Sequence, residues 1–182
     1  MRNNFKLLAV AAGLASFGVG SGLAQGGGLA TWGMEKGDWE FTLGGGGQSS
    51  SDFDANAGSF NASVGYFLSN HFELGLRQDL SFAASDAGGS TFAATRLFAD
   101  FHFKLGQRWR PYIGAAIGGV YGDDVNESFT GGFEAGLKYY VLPKTFLFGH
   151  FEYQWNFDDG DDIDDNFDDG SFLYKVGVGF NF

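Results

Sequence analysis

The chain has 182 residues, 31 of them glycine, two proline and none cysteine, with 18% aromatic residues and a formal charge of −11. The lack of cysteine excludes a disulfide staple, a thiolate metal site and a cysteine nucleophile. The acidic balance speaks against nucleic acid as a partner, since that would want a basic face.

The first six residues, MRNNFK, carry Arg2 and Lys6, and the next eighteen, LLAVAAGLASFGVGSGLA, run uncharged to Ala24. A basic start, an apolar stretch and the small-residue exit Gly22-Leu23-Ala24 read as a secretory signal peptide over 1–24, with a mature start at Gln25 and Ala30 as the alternative, later site. The alternative is an uncleaved anchor, because about 18 uncharged residues nearly span a bilayer. The many glycines and the small-residue exit favour cleavage. Residues 25–37 follow as a periplasmic N-terminal segment, and no later stretch is apolar for long enough to be a spanning helix. If the mature chain lives in a membrane, it must do so as a closed barrel.

From residue 38 onward the period is two. Strands are expected at 38–48, 58–68, 71–83, 91–105, 110–122, 128–142, 145–157 and 171–182. The alternation is strict in the last: Phe172, Tyr174, Val176, Val178, Phe180 and Phe182 share one face, and Leu173, Lys175, Gly177, Gly179 and Asn181 the other. Each segment meets the 9 to 11 residues that a tilted strand needs to cross a bilayer. The connections alternate too: SN (69–70), GQRW (106–109) and PK (143–144) are tight, whereas 49–57, 84–90, 123–127 and 158–170 are longer and acidic. Short turns at one end and long loops at the other predict an all-β, eight-stranded, antiparallel up-and-down transmembrane barrel over 38–182. Two places resist. Gln78 falls on the lipid face of the third strand, which a bulge would repair, and 110–122 is too glycine-rich to fix its parity.

Charge placement checks the strands independently, because it did not enter their definition. Glu40, Glu73, Asp79, Asp100, Glu134 and Glu152 share the inward parity with Arg77, Arg96, Lys104, Lys138 and Lys175, forming an expected lumenal charge network. A lipid-facing Arg or Lys would cost about 2–4 kcal/mol at the bilayer midplane. The remaining mature bases, Lys36, Arg108, Arg110 and Lys144, lie before the first strand or around the short turns. The long loops carry acids and no base, so the negative charge belongs to one end of the molecule.

The end of the chain, KVGVGFNF, sets Lys175, Gly177, Phe180 and Phe182 in the pattern of the signal by which outer-membrane barrels are recognised for assembly. With the signal peptide and the eight strands, the mature chain resembles the small outer-membrane barrels of the OmpA and OmpX type. The resemblance implies outer-membrane lipid as solvent, an assembly machinery that reads the last strand, and no cofactor. Some eight-stranded barrels resembling this one modify lipid acyl chains with a serine, a histidine and an acid. Here His71 sits at a tight turn, while His102 and His150 point inward; His150 and Glu152 could be drawn as base and orienting acid, but no serine is placed beside them. No enzyme is expected.

An eight-stranded barrel is just wide enough for side chains to fill it. The inward charges, with Phe98 and Tyr140, predict a plugged lumen, with function in the acidic surface loops toward an extracellular ligand the sequence does not name. Against this, Gly44, Gly46, Gly114, Gly118, Gly177 and Gly179 leave local space, so the alternative is a narrow conduit for ions or small apolar solutes, similar to the OmpW type. The loop 158–170 holds Asp158, Asp159, Asp161, Asp162, Asp164, Asp165, Asp168 and Asp169. It reads as a solvated hairpin loop or as a weak divalent-cation site. Asp169 stands where an EF-hand would want glycine, so no specific metal set is expected.

Overall fold

Period-two alternation makes eight strands: β1 (Trp39–Ser49), β2 (Ala55–Phe67), β3 (Phe72–Ser85), β4 (Gly88–His102), β5 (Trp109–Gly122), β6 (Ser128–Tyr140), β7 (Thr145–Phe157) and β8 (Ser171–Asn181). They are seen in a computed structural model that describes residues 31–49, 55–85, 88–122, 128–157 and 171–182. Each strand pairs antiparallel with its neighbour in sequence, and β1 also pairs with β8, closing the barrel. At that seam the register runs from Glu40↔Asn181 to Gly45↔Val176. Trp39 and Phe182 extend it by exchanging two backbone hydrogen bonds of 2.9 Å. The expected signal peptide lies outside the described residues.

The outer face is apolar: Leu74, Leu76, Leu97, Ile113, Ile117, Phe133, Leu147 and Val176 are all exposed. In water this would be an aggregation surface, whereas in lipid it is the required one. Rings gather near the strand ends. Trp39 lies 5.1 Å from Tyr66 and Trp109 4.5 Å from Tyr139 by the tight turns, and Phe133 lies 5.4 Å from Trp155 toward the other end. Their amphipathic rings suit the two membrane interfaces.

Both irregularities of the pattern resolve. No bulge interrupts β3: Gln78 pairs in register with Ala62 and Thr95. Its side chain stays on the outer face, accepting from Thr95 Oγ1 at 2.6 Å and donating to Tyr121 Oη at 3.1 Å, so a polar group is satisfied there without breaking the ladder. In β5 the parity is inward for Arg110, Tyr112, Gly114 and Ala116 and outward for Trp109, Ile113 and Ile117. Boundaries shift as well. β2 begins at Ala55, and Ser85 pairs with Gly88, so most of the expected 84–90 loop is strand. β4 ends at His102.

Of the six inward glycines that argued for local space, five are recesses taken up by a neighbouring side chain, and Gly46 meets only the Tyr174 carbonyl and the Ser59 hydroxyl. A Cβ at Gly44 or Gly177 would strike Phe148, at Gly179 Phe146, at Gly114 Asp100, and at Gly118 Arg96. Each is a recess for a large neighbour. The segment before β1 closes the tight-turn end: Gly33 N donates to Pro143 O at 2.9 Å, Gly37 N to Phe67 O at 2.9 Å, and Met34 is fully buried beneath Tyr140. Lys144 fixes its far side through Asp38 at 2.6 Å. Residues 31–37, the described part of the expected 25–37 segment, thus form a lid on the barrel.

Candidate functional site

The register sets like charges opposite one another on neighbouring strands. Glu73 faces Asp100 and Arg77 faces Arg96 between β3 and β4, and Glu134 faces Glu152 between β6 and β7. Like charges so placed repel, and a buried ion without a partner costs several kcal/mol, so most partners must come from across the lumen. They do. Arg77 of β3 donates both guanidinium nitrogens to Glu134 of β6, at 2.8 and 2.9 Å, a planar two-bond geometry that only arginine offers. Arg96 of β4 bonds Glu152 of β7, donates to Gln154 at 2.8 Å, and reaches Asp79 of adjacent β3 at 2.7 Å. Lys138 of β6 bridges Glu40 of β1 at 2.5 Å and Glu73 of β3 at 3.2 Å. Lys175 of β8 stands 2.8 Å from Asp79.

All the charged side chains of this belt are buried. Rings fill the gaps: Arg77 lies 4.8 Å from the centre of Phe98, and Lys138 within 5.6 Å of Phe67, Tyr112 and Phe146. Neutral links extend the network toward the seam. Tyr140 Oη donates to Asn181 Oδ1 at 2.6 Å, Asn181 Nδ2 donates to Glu40 Oε2 at 3.0 Å, and the hydroxyls of Thr42 and Ser63 meet at 2.5 Å. A cavity of about 20 Å³ remains between Glu40, Asn61, Asp100, Tyr112 and Lys138. It has room for about one water molecule.

The structure brings together Glu40, Glu73, Arg77, Asp79, Arg96, Glu134, Lys138, Glu152 and Lys175 in this belt and places Asp100 beside it. Lys104 is a correction: because β4 stops at His102, its side chain is exposed beyond the strand and joins no ion pair among the described residues. Arg110 lies beside the short turn as expected, but its side chain is buried at the lidded end. Its Nη1 donates to the carbonyls of Gly106 and Trp109 and its Nη2 to that of Trp32, at 2.9–3.0 Å, and it lies 5.7 Å from the centre of Tyr140. The signal for Arg110 was its parity with Tyr112, hidden by the glycines that follow.

His150 shares Nδ1 with the Tyr112 hydroxyl at 2.9 Å, and its Nε2 faces Glu152 at 3.5 Å. Among the described residues no serine hydroxyl bonds to it. In the terminal strand Lys175, Gly179 and Asn181 face the lumen, while Phe180 packs outside, 5.4 Å from Phe41 and 6.2 Å from Phe182. The eight aspartates of the 158–170 loop lie outside the described residues.

A closed antiparallel barrel of eight strands, greasy outside and ion-paired inside, defines an integral protein of the bacterial outer membrane. The family model of the OprF membrane domain matches residues 47–182, and the chain belongs to that family. Among solved structures it is similar to the N-terminal β-barrel domain of Pseudomonas aeruginosa OprF, with 24% identity and a TM-score of 0.58 over 82% of this chain and 100% of that one. Neisserial surface protein A is similar at 18% identity and TM-score 0.61, over 81% of this chain and 98% of that one. For the outer membrane protein OprG of Pseudomonas aeruginosa the values are 12% and 0.55, over 82% and 98%. At these identities the likeness is one of fold.

Proposed function

We propose that this chain is a structural, surface-presenting barrel: its lumen is closed to solutes, its strands anchor it in lipid, and its acidic loops meet an extracellular ligand. The observation that carries the reading is the bidentate Arg77–Glu134 bridge, which joins β3 to β6 across the middle of the lumen with both partners buried. A solute could pass only by breaking it, at the cost of leaving two unpaired ions away from water. The same arrangement supports reading His150 and Glu152 as members of a hydrogen-bond network rather than as catalytic groups.

Three further assignments belong to this reading. The signal peptide over 1–24 is cleaved on export. The assembly machinery recognises Lys175, Gly177, Phe180 and Phe182. The aspartates of 158–170 hold divalent cations weakly and without selectivity. A strain lacking the chain tests the function: uptake of small hydrophilic solutes should be unchanged, while resistance to detergent and surface binding should fall. Loss of solute uptake with an intact envelope barrier would instead make the protein a conduit.

A further inference from the structure

The buried carboxylates Glu40, Glu73, Asp79, Asp100, Glu134 and Glu152 outnumber Arg77, Arg96, Lys138 and Lys175 by two. Arg110 does not redress the balance, because its charge is spent on backbone carbonyls at the lidded end. The deficit has a location. Asp100 makes no ion pair among the described residues, and its Oδ1 has no hydrogen-bond partner. Beside it stands His102, 0% exposed, with neither ring nitrogen bonded, its ring held between Phe67 and Tyr112 at centroid distances of 5.3 and 5.2 Å. Buried polar groups normally find partners, and three such atoms side by side call for an occupant.

We propose that Glu73, Asp100 and His102 form a lumenal site for a divalent first-row transition metal. Their ligand atoms lie within 4.8 Å of one another. His102 Nε2 is 3.5 Å from Glu73 Oε2, close to the roughly 3.4 Å that separates two ligands on a tetrahedral ion with bonds of about 2.1 Å. Two carboxylates supply the two negative charges in excess, and the imidazole selects a metal such as Zn²⁺ or Co²⁺ over Ca²⁺ or Mg²⁺. The adjoining cavity, bordered by Asp100 and Tyr112, can seat a water as a fourth ligand. Glu73 Oε2 also accepts from Lys138 Nζ at 3.2 Å, and Lys138 keeps its shorter contact, to Glu40, when Glu73 turns to the metal.

The second cluster of this kind, Glu134, His150 and Glu152, is not such a site. Its carboxylates are bonded to Arg77 and Arg96, Lys175 approaches Glu152 at 3.7 Å, and His150 Nδ1 is engaged by Tyr112. Three cations there would repel a metal ion, whereas among the described residues Lys138 is the one Lys or Arg in ion-pair contact with the carboxylates of the first cluster.

The test is cobalt spectroscopy on the full barrel, free of any histidine tag, refolded in detergent with Co²⁺ present. Four- or five-coordinate Co²⁺ absorbs intensely in the visible, unlike the six-coordinate, all-oxygen ion that an aspartate-rich loop would hold. The intense band should appear in the wild type, disappear on adding Zn²⁺, and survive both His71→Gln and replacement of the eight loop aspartates by serine. His102→Gln should weaken Co²⁺ binding by at least about tenfold, the loss that even an outer-sphere partner can cause. Asp100→Asn should do the same and serves alone should His102→Gln fail to refold. An absent band in the wild type would mean that protons, not a metal, neutralise the excess carboxylates. A band that persists in His102→Gln, or vanishes in the loop variant, would equally overturn the site.

Discussion

Lys138 and Lys104 look alike on paper, two bases at the inward parity, yet the structure gives them opposite weights. Lys138 is buried and holds Glu40 and Glu73 together, so Lys138→Met leaves two carboxylates facing each other and should cost about 3–5 kcal/mol in urea unfolding of the reconstituted barrel. Lys104 lies exposed past the end of β4, and Lys104→Ala should stay within about 0.5 kcal/mol. Parity told which residues point inward, because a period of two needs only local sequence. It could not tell that β4 stops at His102, nor who pairs with whom: Arg77 and Glu134 lie on strands three apart in the sheet, and only closure makes them neighbours. That Asp100, read as inward, has no ion-pair partner among the described residues was equally hidden, because six inward acids stood against five bases.

At the level of the strand, β8 has to seal against β1 over a short register while the large ring of Phe148 presses in from β7. Gly177 makes this possible. A Cβ there would meet Phe148 and the backbone of Leu43 and Gly44, which cannot step aside without parting the seam. Gly177→Ala should therefore lower stability by about 1–3 kcal/mol and reduce refolding yield, both read from the folded and unfolded bands on an unboiled gel. Gly149 in β7 is the control: a Cβ there meets nothing within 4 Å, so Gly149→Ala should be neutral or stabilise by up to about 1 kcal/mol. Strand number and order were legible because alternation recurs in eight segments and the seven connections between them alternate in length. Two features were not. The glycines of the lumen look like empty space until the rings that fill them are seen, and Gln78 looks like a defect until Thr95 and Tyr121 come alongside in the ladder.

For the molecule as a whole, closure removes every sheet edge and the cross-lumen bridges tie strands that the ladder leaves apart. Such a barrel should stay folded in detergent until heated, so that boiled and unboiled samples migrate differently; identical migration with helical circular dichroism would contradict the fold. The lid made by residues 31–37, unforeseen because it has no periodicity to read, adds a second seal at the tight-turn end, where Met34 and Arg110 are both buried. On the reading proposed above, paired charges and recessed rings leave the lumen no continuous aqueous path. Single-channel recording of the purified barrel in planar bilayers is the decisive measurement: a closed lumen gives no stable conductance steps in the wild type, and large, long-lived steps would show that it is open.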